Sequence, residues 1–222
     1  ASVSSLNKGE SFYDTVKVFD SLQVDAIIVR SVVDQWYQEV LGKVKASLIN
    51  AGDGKSDHPT QTLLDLVTIY EQFGKFEGLK VLIVGDIVHS RVAHSNYKTF
   101  TRLGMEVYFA APDNLKDSQY QYVDFDQYLA QVDVVNMLRI QNERLETGLK
   151  VQSDYNAMYG LNTKRVNIMK DNAIIIHPAP VNRNVEVNDD VMECKKSRIF
   201  EQMTNGMYVR MAVLSKIFEG KK

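Results

Sequence analysis

The chain has 222 residues, of which 45% are hydrophobic and 24% are charged, and this composition is ordinary for a globular protein. A net charge of −2 gives no global field for attracting nucleic acid or an anionic membrane, and no apolar run approaches the ~20 residues of a membrane span. Cys194 is the single cysteine, which excludes an internal disulfide and is typical of a reducing cytosol, so we expect a cytoplasmic protein.

Short β-branched segments alternate with amphipathic segments along the whole chain. Predicted strands span residues 24–30, 46–52, 80–86, 106–112, 133–140 and 173–180. Predicted helices span residues 12–22, 33–44, 59–73, 91–103, 126–132, 162–170 and 205–218. This alternation predicts an α/β fold with doubly wound parallel sheets, because parallel strands need crossover connections.

A domain boundary is predicted near residues 72–79, where the helix that begins at Pro59 ends and a new strand follows at once. We expect two doubly wound α/β domains, residues 1–74 and 75–204, joined by helix 59–73. Residues 205–222 are expected to form a C-terminal helix that packs back on the first domain. Ligands of such sheets bind at the carboxyl ends of strands, so the crevice between the domains is the predicted site.

Arginine residues stand at the carboxyl ends of three separate predicted strands: Arg30, Arg91 and Arg139. One arginine in such a place is most often solvated or salt-bridged. Three that face one crevice favour anion recognition, because the guanidinium fork matches carboxylate and phosphate groups. The sequence therefore predicts a ligand with several negative charges.

The segment "NAGDGKSDHPTQ" places His58 and Gln61 at the start of a helix, with Pro59 in the first turn. A single histidine here is as often a cap as a catalyst. One helical turn separates the two side chains, so both can face the same cavity, where an imidazole can donate to a carbonyl oxygen and an amide can hold an –NH2 group. The prolines of "HPAP", residues 177–180, remove N–H donors and leave carbonyl oxygens to accept from an amine.

Other chemistries lack a pattern in the sequence. We find no acid–base pair, nucleophile triad or metal cluster, and Cys194 lies in the polar context "MECKKS" without a partner. The segment "VGDIVHSR" lacks the G-x-G-x-x-G turn of dinucleotide-binding proteins. We therefore expect neither a metal nor a cofactor.

Five segments together resemble the aspartate carbamoyltransferase family, the catalytic chains of pyrimidine synthesis, in its bacterial branch. They are "NAGDGKSDHPTQTLLDLVTIYEQFG", "VGDIVHSRVAHSN", "MLRIQNERL", "HPAPVNRNVEV" and "KSRIFEQMTNGMYVRMAVL". The motif "HPTQ" alone also fits the ornithine carbamoyltransferases. That sister family lacks "RIQNER" and has a cysteine in the segment "HCLP", where this chain has "HPAP".

The resemblance implies carbamoyl transfer from carbamoyl phosphate to the amine of L-aspartate, giving N-carbamoyl-L-aspartate and phosphate. It implies that Arg30 binds the phosphate and carbonyl end of carbamoyl phosphate and that His58 polarises the carbonyl. Gln61 would hold the carbamoyl –NH2 group, and the carbonyls of Pro178 and Ala179 would place the amines. Neither a covalent intermediate nor a cofactor is needed.

For aspartate, the resemblance implies that Arg91, Arg139 and Gln141 clamp the two carboxylates. Ser4 and Lys8, in "SSLNKGES", match a loop that family members insert into the site of a neighbouring subunit. The implied partners are therefore the two substrates and the other subunits of a homotrimer with shared active sites. The resemblance is also compatible with regulatory or other pathway subunits as partners. Nucleic acid and membrane are not expected partners.

The chain also departs from the family pattern. The family's "STRTR" segment would lie before residue 1, so we expect a first domain truncated at its N-terminus and impaired activity of this chain alone. A fragment or homologue that keeps the fold as a binding or assembly protein is the alternative. Four further departures are Ser31, Asp57, Val88 and Asn184, and Asp57 beside His58 is expected to raise the pKa of the imidazole.

Overall fold

The computed structural model describes residues 9–140 and 152–220 of the chain. Its strands are β1 (Ala26–Ser31), β2 (Ser47–Asp53), β3 (Lys80–Val84), β4 (Glu106–Ala110), β5 (Val134–Met137) and β6 (Ile174–Ile176). Its α-helices are α1 (Phe12–Ser21), α2 (Pro59–Phe73), α3 (Arg91–Arg102), α4 (Phe125–Leu129), α5 (Gln152–Tyr159), α6 (Thr163–Val166), α7 (Asp189–Met192) and α8 (Ile199–Glu219). Short 3-10 turns lie at Trp36–Glu39 and Asp113–Leu115.

The strands form two parallel sheets. One pairs β1 with β2, and the other has the order β4-β3-β5-β6. The side chains of β3 alternate between two hydrophobic clusters, with Val81 and Ile83 in one and Leu82 and Val84 in the other. The larger sheet is therefore covered on both faces, which is why its strands are almost wholly apolar. This confirms the predicted α/β fold with parallel sheets.

Helix α2 follows the two-stranded sheet and packs against α8 from the C-terminal part of the chain. It begins with Pro59 and is capped by Gly74, whose positive φ of 66° lets its N–H reach Tyr70 O. The Nδ2 of Asn205 donates to Thr68 Oγ1 at 3.1 Å and to Glu71 Oε2 at 2.7 Å, so polar contacts join the two helices. No helix among the described residues is long and apolar enough to cross a membrane.

The prediction of a helix over residues 33–44 is wrong. Only Trp36–Glu39 forms a helical turn, of the 3-10 type, and Gln35 before it has a left-handed φ of 52°. Its N–H donates to Asp53 Oδ2 at 2.9 Å, while Asp34 Oδ1 accepts from Lys55 N at 2.7 Å. These contacts with the loop after β2 hold the segment in a turn, so the apolar spacing of Trp36 and Val40 reflects packing of that turn.

Other boundaries differ as well. Helix α8 begins at Ile199, ahead of the predicted start at residue 205, and α4 and α6 are shorter than the helices predicted over 126–132 and 162–170. Helices α5 and α7 were not predicted. Helix α8 buries the polar side chains of Gln202 and Asn205, so hydrophobic periodicity does not reveal its first turns.

Candidate active site

A cavity of about 370 Å³ lies where the carboxyl ends of strands from both sheets meet. Seven of the predicted site residues line it: Arg30, His58, Gln61, Arg91, Arg139, Pro178 and Ala179. The other three, Ser4, Lys8 and Gln141, lie outside the described residues. The chain folds so that residues as distant in the sequence as Arg30 and Ala179 share this one concave surface, as expected for parallel α/β sheets.

The cavity has a strongly cationic wall. Arg30 lies in β1, Arg91 is the first residue of α3, Arg139 follows β5, and Arg210 reaches in from α8. Among the side chains of residues 9–140 and 155–220, those of Arg165 and Arg183 pair with carboxylates, Asp126 and Asp189. The guanidinium groups of Arg30, Arg139 and Arg210 therefore have no carboxylate partner among the described residues, and the cavity is suited to a polyanion.

Glycine at position 52 allows the side chains of Arg91 and His58 to pack against the end of β2. Gly52 has a φ of 118°, a conformation that side chains rarely adopt. A Cβ there would lie 3.1 Å from Arg91 Nη1 and 3.5 Å from His58 Cδ2. The end of β2 is therefore packed directly against both side chains, and a larger residue at position 52 would displace them.

The imidazole of His58 is neutral near pH 7. Burial lowers its pKa to about 4, and the charges of Arg30, Arg91 and Arg210 act in the same direction. Thr60 Oγ1 lies 3.4 Å from Nδ1, which is compatible with a hydroxyl donating to that nitrogen and with the proton on Nε2. In that tautomer His58 offers one N–H donor to the cavity.

The expectation that Asp57 raises the pKa of His58 is therefore wrong. The carboxylate of Asp57 lies 3.8 Å from Lys98 Nζ on α3, and its backbone N–H donates to Asp53 Oδ1 at 2.6 Å. These contacts belong to the loop after β2. Burial and the three arginines, which all disfavour an imidazolium, decide the protonation of His58.

Gln61 is buried and its amide is already oriented. Its Nε2 donates to Asp65 Oδ1 at 2.8 Å within the same helix. Because an ionised carboxylate can only accept, the –NH2 side of the Gln61 amide is committed to Asp65. The carbonyl oxygen of that amide is then the group that remains for a ligand –NH2 in the cavity.

The "HPAP" segment forms a fixed turn after β6. The N–H of Ala179 donates to His177 Nδ1 at 3.0 Å, and the N–H of His177 donates to Gln202 Oε1 at 2.8 Å. Burial lowers the pKa of His177 to about 3, with a further contribution from the charge of Arg139. A neutral His177 thus supports the turn, while Pro178 and Ala179 line the cavity.

Among the residues that line the cavity without having been predicted as site residues, three have ionisable side chains: Asp86, His89 and Arg210. Asp86 Oδ1 lies 2.9 Å from His89 Nδ1 and accepts from the N–H of His89 at 3.2 Å, directly after β3. The strand-end rule could have indicated Asp86 and His89. Arg210 lies in the middle of a helix, and only its place in the segment "NGMYVRMAVL" distinguishes it from a surface arginine.

Comparisons with known proteins agree over nearly the whole chain. The family model for the aspartate/ornithine carbamoyltransferase carbamoyl-P binding domain matches residues 1–71, and that for the Asp/Orn binding domain matches residues 77–217. The aspartate carbamoyltransferase catalytic subunit of Limosilactobacillus reuteri is 50% identical over 98% of this chain and 73% of its own length. The corresponding subunit of Staphylococcus saprophyticus is 49% identical over 98% of this chain and 74% of its own length.

Solved structures show the same likeness. Aspartate transcarbamoylase from Trypanosoma cruzi in complex with N-(phosphonacetyl)-L-aspartic acid superposes with a TM-score of 0.85 and 29% identity, covering 96% of this chain and 72% of that chain. Ornithine carbamoyltransferase from Pyrococcus furiosus superposes with a TM-score of 0.81 and 26% identity, covering 93% and 70%. With both family models matched and relatives about 50% identical, the chain belongs to the aspartate/ornithine carbamoyltransferase family.

Proposed function

We propose that the protein transfers the carbamoyl group of carbamoyl phosphate to the amine of L-aspartate, giving N-carbamoyl-L-aspartate and phosphate, the reaction of pyrimidine synthesis. The observation that carries the proposal is the single cavity in which a neutral histidine and a buried glutamine face a wall of arginines. The curated relatives about 50% identical to the chain bear the same activity in their names.

Charge favours aspartate over ornithine as the acceptor. The side chain of ornithine carries an ammonium group, which the guanidinium groups lining this cavity would repel. Aspartate has two carboxylates, and arginine binds carboxylates through paired hydrogen bonds. We assign the carboxylates to Arg91 and Arg139, together with Gln141.

Carbamoyl phosphate is assigned to the other side of the cavity. Arg30 binds its phosphate and carbonyl end, and the N–H of His58 donates to the carbonyl oxygen. The oxygen of the Gln61 amide accepts from the carbamoyl –NH2, and the carbonyls of Pro178 and Ala179 place the two amines. The carbamoyl carbon is then held beside the amine of aspartate.

The reaction follows from this placement. The neutral amine attacks the carbamoyl carbon, a C–N bond forms and negative charge develops on the carbonyl oxygen beside His58. The bond from carbon to the phosphate oxygen then breaks, and phosphate leaves with its electron pair and takes up the proton lost by the amine. A fixed donor at the oxyanion is worth about 3 kcal/mol, and holding the two substrates together supplies several kcal/mol more.

The test is calorimetry with N-(phosphonacetyl)-L-aspartate alongside an assay for N-carbamoyl-L-aspartate. Arg139→Ala is expected to weaken binding of the analogue about 100-fold, because a charged hydrogen-bonded pair is lost. Arg102→Ala, at the exposed end of α3, is the matched control and is expected to bind like the parent. Equal binding by Arg139→Ala would remove Arg139 from the site, and binding of the analogue without turnover would favour the binding or assembly protein over the enzyme.

The proposal extends to assembly and location. We assign the protein to the cytoplasm and to a homotrimer in which Ser4 and Lys8 of one subunit complete the site of the next. Resemblance to the family supports this arrangement, and a closed ring of three head-to-tail contacts gives every subunit a complete site.

A further inference from the structure

A buried carboxylate joins three helices behind the cavity. Asp65 lies in the middle of α2 and is completely buried. Its Oδ1 accepts from Gln61 Nε2 at 2.8 Å and from Gln202 Nε2 of α8 at 2.5 Å. Its Oδ2 accepts from Asn96 Nδ2 of α3 at 2.7 Å. All three partners are side-chain amides, and all three turn their –NH2 groups towards the same carboxylate.

The direction of these hydrogen bonds is fixed by charge. Burial raises the pKa of Asp65, and the hydrogen bonds from Asn96, Gln202 and Gln61 lower it. Burial has the larger effect, so the resulting pKa is about 6. The carboxylate is therefore ionised near pH 7 and can only accept. An amide beside it must present –NH2 to the carboxylate and turn its carbonyl oxygen the other way.

Two of the three amides connect Asp65 to the groups that face the cavity. Gln61 itself lines the cavity. Gln202 uses its Nε2 for Asp65 and its Oε1 to accept the N–H of His177 at 2.8 Å, directly before Pro178 and Ala179. One carboxylate thus orients the amide of Gln61 and, through Gln202, the start of the "HPAP" turn.

We infer that Asp65 is a positioning residue for carbamoyl transfer, which fixes the Gln61 amide with its oxygen towards the cavity so that the site accepts a ligand –NH2 group. The inference rests on the proposed function, in which Gln61 binds the carbamoyl –NH2. With the amide reversed, Gln61 would present a donor to a donor. A buried ion is costly and apolar packing often replaces one without loss of stability, so a role in orientation explains its presence better than stability does.

The experiment compares two stable ligands that differ in one group. Phosphonoacetamide carries the –NH2 group, and 2-oxopropylphosphonate carries a methyl group in its place. Calorimetry on the full chain is expected to show a preference for the amide, of which about tenfold is the hydrogen bond to Gln61. Asp65→Asn is expected to lower this preference about tenfold and to leave the affinity for 2-oxopropylphosphonate unchanged, because the substituted side chain supplies an –NH2 group that allows the Gln61 amide to reverse.

Two controls separate orientation from stability. Asn205→Ala removes hydrogen bonds between α8 and α2 outside the cavity and is expected to keep the preference for the amide. Gln61→Ala is expected to lower the preference about tenfold, because the carbonyls of Pro178 and Ala179 still accept from the amide, and adding Asp65→Asn to it is expected to change nothing further. If Asp65→Asn fails to fold, Asp65→Glu keeps the buried charge, displaces Gln61 by one methylene and is expected to lower the preference.

The outcomes distinguish the inference from the proposed function. If Gln61→Ala keeps the preference for the amide in full, the assignment of Gln61 in the proposed function is wrong. If Gln61→Ala lowers it while Asp65→Asn and Asp65→Glu keep it in full, the inference about Asp65 is wrong and the proposed function stands. Equal losses for both ligands in Asp65→Asn would likewise overturn the inference, since they would indicate a general disturbance of the cavity.

Discussion

At His58, burial and the neighbouring guanidinium groups act in the same direction on one imidazole. The folded protein holds its pKa near 4, against about 6.5 in an unfolded chain. Between these values the unfolded chain binds more protons, so the contribution of His58 to stability is present above pH 6.5 and is lost as the pH falls towards 4. In the proposed mechanism, His58 therefore acts at neutral pH as an uncharged donor.

A titration of the His58 ring by NMR is expected to show the neutral form down to a pH of about 4. Arg210→Ala is expected to raise the midpoint, because one of the charges that disfavour the imidazolium is removed. Saturating inorganic phosphate is expected to raise it as well, because an anion favours the charged ring. A midpoint at the ordinary histidine value in the free protein would contradict this account.

Individual site residues differ in how well the sequence identifies them. Arg30, Arg91 and Arg139 follow from the strand-end rule, and His58 and Gln61 from their place at a helix start. Asp65 and Arg210 do not, because each lies in the middle of a helix, where charged residues are usually solvated. Their roles depend on which helices pack together, which is a long-range property that periodicity does not encode.

Between elements, Glu186 joins the segment after β5 to the segment after β6. Its completely buried carboxylate accepts from Ile140 N at 2.7 Å through Oε1 and from Asn182 N at 2.7 Å through Oε2. Asn182 Nδ2 donates to both Ile140 O and Glu186 Oε1. Arg139 precedes Ile140, and Pro178 and Ala179 precede Asn182, so this contact sets the spacing of two groups in the cavity.

Glu186→Gln is expected to lower the free energy of unfolding by about 1–3 kcal/mol, the cost of leaving a buried donor without an acceptor. Whichever way the new amide turns, its –NH2 group faces a donor. Urea unfolding measures the change, and Glu193→Gln at an exposed position is the control, expected within about 0.5 kcal/mol of the parent. A parent-like unfolding curve for Glu186→Gln would show that the carboxylate does not hold these segments together.

The elements themselves were predictable where apolar residues are continuous or regularly spaced. Helix α2 has the predicted bounds because Pro59 begins it and Gly74 caps it, both local signals. The prediction of a helix over residues 33–44 is wrong because hydrogen bonds to the loop after β2 hold this segment in a turn despite its helical spacing of apolar residues. The first turns of α8 were missed because they face the buried polar groups of α2, so the periodic residues are Gln202 and Asn205.

In the whole molecule, neither sheet holds the cavity alone. Arg30, His58 and Gln61 belong to the two-stranded sheet and α2, whereas Arg91, Arg139 and the "HPAP" turn belong to the four-stranded sheet. Helix α8 packs on α2 and brings Arg210 to the same place. Residues from distant parts of the chain thus share one site, and the proposed trimer extends the same principle to residues of a neighbouring subunit.

Two variants of the active protein test that extension. Lys8→Ala removes the group proposed to act in the neighbouring site, and His58→Ala removes the donor in its own site, so each homotrimer is expected to be inactive. When the two are mixed at equal concentration and allowed to exchange subunits, random assembly gives roughly a quarter of the shared sites both groups intact. Activity is therefore expected to return to roughly a quarter of the parent value, with a trimer in sedimentation throughout. A monomer, or mixed trimers without activity, would show that each subunit builds its site alone, because a site made within one chain gains nothing from its neighbour.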